Sequence, residues 1–316
     1  MFKFKIIPDD INFNFLKFKH IAFSFSFILI SMTIAFLFFK GLNFGIDFKG
    51  GTLIELKNKK NESVDLSEFR KKAFSLNAGE ISVQKFGVDT DVLLRIQKQD
   101  GDSKKQMEII EKVKNLFEEN FEIRRTEFVG PTIGSELTKK GIYAVISALL
   151  AIMLYIWFRF EWQFSLSAIV ALTHDVFSTI GLFALTQFEF NLSTIAAILT
   201  IAGYSINDTV VVFDRVRENL RRYKSWQQAE ILNRSLNETL SRTLITSITT
   251  ALALISIIFF GGEILKDFAI AMLWGVLIGT YSSIFISVGL ISNIDLKKSE
   301  EKNGVEFPEN EKQWKV

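Results

Sequence analysis

Residues 192–213 read LSTIAAILTIAGYSINDTVVVF. As a helix rising 1.5 Å per residue, these 22 positions span about 33 Å, enough to cross a hydrocarbon core about 30 Å thick. Asp208 is the only charged residue in the run. Five other runs have the same character: Ile21 to Phe39, Ile142 to Phe158, Phe164 to Thr186, Thr243 to Phe260 and Phe268 to Ser292. Each is 17 to 25 residues long, which predicts a polytopic α-helical membrane protein with six transmembrane helices.

The bunching of apolar residues, 48% of 316, excludes a freely soluble enzyme, and the lack of two-residue alternation in the long runs excludes a β-barrel porin. No cysteine is present, so a disulfide scaffold and a cysteine-ligated zinc site are excluded as well. A net charge of +2 gives no reason to expect a nucleic-acid partner. The first run leads into Lys40-Gly41-Leu42 without a small-residue cleavage site and reads as a retained anchor.

Basic residues set the expected orientation. Lys3, Lys5, Lys17 and Lys19 precede the first span, and Arg215, Arg217, Arg221, Arg222, Lys224 and Arg234 lie between the fourth and fifth, which places both segments in the cytoplasm. The expected organisation is a cytoplasmic segment 1–20, a first helix 21–40, an extracytoplasmic domain 41–141, a five-helix bundle 142–292 with a cytoplasmic loop 214–242, and a charged cytoplasmic tail 293–316. Both termini then lie inside, and the tail after Leu296 has the composition of a disordered segment. In the domain, alternation and helical spacing predict strand 52–57, helix 66–76, strand 81–88, strand 92–97, helix 104–120 and strand 121–128. The order βαββαβ predicts a small α+β ferredoxin-like domain. No internal repeat is evident, so a complementary half, if one exists, is another polypeptide.

Charged groups within spans are costly and therefore informative, at about 2.5 to 3.5 kcal/mol each at a helix centre. In the third span His174 and Asp175 share a face with Ser178 and Thr179, which reads either as a polar helix-packing seam or as a functional site. Metal binding is disfavoured, since His20 is the only other histidine. In the fourth, Asn207-Asp208 sits near the cytoplasmic end as a snorkelling or locally paired charge, or as a proton carrier. The fifth opens with Arg242, and Thr246, Thr249 and Thr250 follow on its face, able to hold waters or simply to pack helices. Asp208 and Arg242 could meet across a helix interface, where burial favours the neutral acid and the guanidinium favours the anion, a basis for a protonation switch. In span six, Ala271, Gly275, Gly279, Ser283 and Ser287 make a small-residue stripe for close helix packing. Gly45, Asp47, Gly50 and Gly51, within Gly45 to Thr52, read as a structural hinge or strap; their spacing fits no phosphate-binding loop.

Several segments taken in order resemble the SecF family, the smaller membrane subunit of the bacterial SecDF protein-export complex: FGIDFKGGT (44–52), VGPTIGSEL (129–137), ALTHDVFSTIG (171–181), LTIAGYSINDTVVVFDRVREN (199–219) and SRTLITSITT (241–250). Phe260-Gly261-Gly262 and GTYSS (279–283) complete the pattern. The resemblance implies one half of a resistance-nodulation-division (RND) type fold, with SecD as the complementary half. It implies proton-driven assistance of late preprotein export at the bacterial inner membrane, with SecYEG, YajC and, indirectly, SecA as wider partners and an unfolded preprotein as substrate. Asp208 and Arg242 fall on the family's functional acid and arginine; His174 and Asp175 match its His-Asp motif as polar support. No cofactor is expected beyond protons as coupling ion, and no covalent chemistry. Lys49, Ser135 and Gly289 stand where the family commonly has a small polar residue, an acid and a proline. The alternatives are an RND-type half-transporter for small molecules or ions and a passive translocase scaffold; no serine-lysine, metal-ligand or paired-aspartate arrangement suggests an intramembrane hydrolase.

Overall fold

The computed structural model describes residues 12–76, 78, 81–97, 103–294 and 296; the expected disorder of the tail lies outside them. Among the described residues, six helices are long and apolar enough to cross a membrane. They are α1 (Lys19–Phe39), α5 (Pro131–Arg159), α6 (Trp162–Thr186), α7 (Leu192–Arg222), α8 (Gln228–Phe260) and α9 (Glu263–Tyr281), the last continuing through a π-helical turn (Ser282–Ser287) into α10 (Val288–Ile291). Between α1 and α5 lie a one-turn helix α2 (Ile46–Lys49) and the run β1 (Gly51–Asn58), α3 (Leu66–Phe74), β2 (Ile81–Phe86), β3 (Val88–Gln97), α4 (Ser103–Phe117) and β4 (Phe121–Val129).

The small domain is the predicted βαββαβ unit. Its antiparallel sheet has the order β2-β3-β1-β4, which brings the first and last strands together as in ferredoxin-like folds. Side chains alternate across the sheet: Ile54 and Leu56 join Leu94, Ile96, Phe69 and Phe117 beneath the helices, while Leu53 and Leu93 cluster with Ile46 of α2 on the other face. The boundaries differ most from the sequence reading at two places. β3 begins at Val88, four residues early, because Gly87 with φ +74° makes the turn and allows Phe86 to pair directly with Val88. α4 ends at Phe117, three residues early, where Phe117 turns into a stack on Phe69 with ring centroids 4.3 Å apart.

The spans are also longer than their apolar runs. α7 continues to Arg222 and α8 starts at Gln228, so most of segment 214–242 is helical hairpin rather than loop. Hydrophobicity marks only the lipid-length part of a helix; backbone hydrogen bonds continue wherever propensity and packing allow. Here Val216, Leu220, Ile231, Leu232 and Leu236 make an apolar seam, which Phe15 of the N-terminal segment caps.

α6, α7 and α9 form the centre of the bundle, with 61%, 44% and 67% of their apolar windows buried, against 17%, 11% and 17% for α1, α5 and α8. Gly275 and Gly279 lie where α9 crosses α7. A Cβ on Gly275 would overlap the Ile201 side chain, and one on Gly279 would lie 3.2 Å from Ser205 Cβ. Absence of side chains there lets the two backbones approach, and the next stripe residue, Ser283, bonds Thr209 of α7 at 2.9 Å.

Candidate proton site and its polar core

Asp208 lies near the middle of α7, 3% exposed. Its Oδ2 is buried with no hydrogen-bond partner among the described residues. Arg242 of α8 acts on it electrostatically, but the two form no ion pair among the described residues, and Arg242 is exposed on the bundle surface. The direct Asp208–Arg242 contact that the sequence allowed is therefore not made among the described residues, although α7 and α8 pack together. Asn207, next to the acid, is exposed too.

The threonines after Arg242 also differ from the expectation of a water-holding face. Thr246 Oγ1 donates to the Arg242 carbonyl, Thr249 Oγ1 to Ile245 O at 2.8 Å and Thr250 Oγ1 to Thr246 O at 2.8 Å. A hydroxyl one turn from a helical carbonyl satisfies itself locally unless another group competes. On the same helix the buried Oγ1 of Thr243 has no hydrogen-bond partner among the described residues. It was hidden from sequence reading because it marks the start of an apolar run.

Asp175 is the better-connected acid. It is fully buried, and its Oδ2 accepts from Ser205 Oγ of α7 at 2.5 Å and from Ser282 Oγ of the π turn at 2.6 Å. Its Oδ1 lies 3.0 Å from Nδ1 of His174, whose Nε2 is buried without a partner. Ser178 and Thr179 share its face as the spacing predicts: both donate to the Asp175 backbone carbonyl, at 3.1 and 2.8 Å, and Ser178 Oγ also accepts from Trp274 Nε1 of α9 at 3.3 Å. π-helical turns often mark functional sites, and here the turn brings Ser282 to Asp175 and Ser283 to α7. Ser205 is one turn before Asp208, so the two acids share α7 as common support.

At the domain end of the bundle, the 43–50 strap lies along the α6–α7 loop. Glu189 of that loop pairs with Arg95 of β3, and Asp47 Oδ2 accepts the Leu192 amide at 2.9 Å at the start of α7. Gly45 abuts the Glu189 carboxylate so closely that a Cβ there would overlap it. Gly50, with φ +72°, ends α2 in a backbone conformation that glycine favours. Lys49 points outward and Ser135 is exposed, whereas Gly289 faces the Phe23 ring.

Burial pushes the Glu189 carboxyl above its ordinary 4.5, against the lowering pull of Arg95 and with a further upward push from Asp47. The folded protein then holds a proton that the unfolded chain releases, so stability rises as pH falls through the elevated value and the gain is complete below about 4.5. The melting temperature of wild type minus that of Glu189→Gln is expected to grow as pH is lowered from 7 to 4. A flat difference across that range would contradict this assignment.

The family model for the protein export membrane protein SecD/SecF, C-terminal, matches residues 108–297, and that for the SecD/SecF GG motif matches residues 35–60. Protein translocase subunit SecF of Rickettsia bellii (strain OSU 85-389) is 42% identical over 302 residues, covering 95% of this chain and 99% of the relative. That of Rickettsia prowazekii (strain Madrid E) is 42% identical over 304 residues, covering 96% and 97%. The crystal structure of SecDF, a translocon-associated membrane protein from Thermus thermophilus, superposes with a TM-score of 0.81 at 36% identity over 94% of this chain. SecDF in a super-membrane-facing form gives 0.67 at 34% over 93%. This chain spans 40% of the length of each solved SecDF chain. With near-complete coverage by relatives of one kind and both family models matched in order, the chain belongs to the SecF family of protein translocase subunits.

Proposed function

We propose that this chain is the SecF-type half of a bacterial inner-membrane assembly that uses proton entry to assist late stages of preprotein export. A SecD-type chain supplies the complementary half, which agrees with the 40% share of the solved SecDF chains that this chain spans. SecYEG and YajC, and indirectly SecA, are the wider partners; an unfolded preprotein is the substrate. Protons are the coupling ion, with no other cofactor and no covalent chemistry. The basic segments support an orientation with both termini in the cytoplasm and the 41–141 domain on the outer face.

The observation that carries this reading is Asp208: a carboxylate buried mid-helix with an unpartnered oxygen, whose α7 neighbours bond to α6 and to the π turn. Each proton gained or lost there changes a charge beside a contact shared by three helices. Arg242 and Asn207 are exposed and so are free to be covered by a complementary half.

Inverted membrane vesicles depleted of this chain, then resupplied together with a SecD-type chain, should regain preprotein export that responds to an imposed proton gradient. Export that recovers equally without a gradient would leave only a scaffold. Gradient-dependent efflux of a small solute from liposomes, with no effect on export, would favour the half-transporter.

A further inference from the structure

We propose that the strap 43–50, the α6–α7 loop 187–192 and Arg95 form a closed clamp that carries displacement of α7 into the sheet domain, so the strap is a coupling element and not a hinge. This rests on the proton-driven reading above. A hinge needs backbone free to change φ and ψ, and this segment is tied on both sides. Gly45 N donates to Phe190 O at 2.9 Å, and Phe190 N donates to Asn43 O at 2.8 Å, making a two-residue parallel bridge. Asn43 Nδ2 donates to Gln187 O at 3.0 Å.

Asp47 of α2 accepts the first amide of α7, while the Glu189 carboxylate of the loop lies against Gly45, the residue that opens α2. The anionic group at the α7 end satisfies an amide that has no intrahelical partner. Glu189 then continues to Arg95, whose side chain is largely buried and which stands in β3 opposite Leu53 of β1. The Phe190 ring packs on Phe44, Phe48 and Phe183 with centroids 5.7 to 6.1 Å apart. On the remaining side, a Cβ on Gly134 of α5 would meet Gly50 N and Phe48 O at 3.2 Å, so α5 also closes on the strap.

The clamp sits at the first turn of the helix that holds Asp208 sixteen residues on, about 24 Å along the axis. A helix is stiff along its axis, so a shift at Asp208 reaches Asn191 and Leu192 and moves whatever they are fastened to. Through Asp47 and Glu189 they are fastened to α2, β1 and β3.

The cysteine-free chain allows a direct test in the reconstituted full-length complex. Phe44→Cys/Phe190→Cys should form a disulfide at the bridge. With the clamp closed throughout the cycle, the oxidised protein keeps at least half of the gradient-stimulated export of its reduced form, and the cross-linking rate is the same with and without a gradient. Loss of stimulation on oxidation with recovery on reduction, or a tenfold change in cross-linking rate when the gradient is imposed, would overturn the proposal. As a second variant, Arg95→Gln should lower stimulated export at least tenfold while gradient dissipation by the complex stays within twofold, and Arg95→Lys should restore most of it. Unchanged export in Arg95→Gln would likewise reject the clamp. Should unmodified complex show no gradient response at all, the proton reading fails, and the cross-linking rates still decide whether the strap opens.

Discussion

Vesicles carrying Asp208→Asn are expected to lose gradient-stimulated export, falling by tens of fold to the level of vesicles lacking this chain, while the complex still assembles. Asparagine has nearly the same volume as aspartate and can fill the same buried site on α7, but it cannot exchange a proton. One charge moved through about 100 mV carries about 2.3 kcal/mol, enough to bias two packing states roughly fiftyfold. That bias vanishes when the titrating group is removed, so the loss should appear in the stimulated rate and not in export without a gradient. Arg242→Gln should reduce stimulation less severely than Asp208→Asn, because it changes the field on the acid and leaves the acid in place. Full gradient response in Asp208→Asn vesicles would remove Asp208 from the mechanism.

The features legible in the sequence are those that depend on one segment at a time. Apolar length gave the six spans, two-residue alternation gave the sheet domain, and membrane cost singled out Asp208. What escaped depends on pairs distant in the chain: Asp175 meets Ser282 across 107 positions, and Arg95 meets Glu189 across 94. A serine within an apolar run carries no periodic signal that tells whether its hydroxyl bonds its own helix or a buried carboxylate elsewhere. Ser178 and Ser282 look alike in sequence, yet of the two only Ser282 reaches the Asp175 carboxylate. The strap is ambiguous for a related reason: its glycines signal backbone freedom in sequence, and only the structure shows Gly45 in close approach to Glu189 and Gly134 of α5 in close approach to Phe48 and Gly50. The π turn could not be anticipated either, since one extra residue in a helical turn leaves the hydrophobic pattern almost unchanged.

Asp175→Ala is expected to destabilise the bundle by about 3 to 5 kcal/mol, in the range for removing one partner from a buried charged network. Three groups converge on this carboxylate from two neighbouring elements and its own helix, so truncation leaves the Ser205 hydroxyl and His174 Nδ1 buried without this partner and Ser282 Oγ with only the Gly279 carbonyl of its own helix. Each orphaned polar group costs roughly 1 to 3 kcal/mol, and relaxation keeps the sum below simple addition. In detergent solution this corresponds to a melting temperature lower by about 10 °C. Asp175→Asn should be much milder, near 1 kcal/mol, because its amide oxygen still accepts and serine hydroxyls can reverse direction. The loss in the alanine variant should be accompanied by faster amide exchange at Ser282–Ser287, where Ser282 anchors the π turn to α6. A melting point within about 2 °C of wild type for Asp175→Ala would mean that α6, α7 and the π turn are held by their apolar contacts alone. If Asp175→Asn instead kept its stability but lost gradient-stimulated export as Asp208→Asn does, this second acid would be part of the proton route and not only the point where the three elements are fastened.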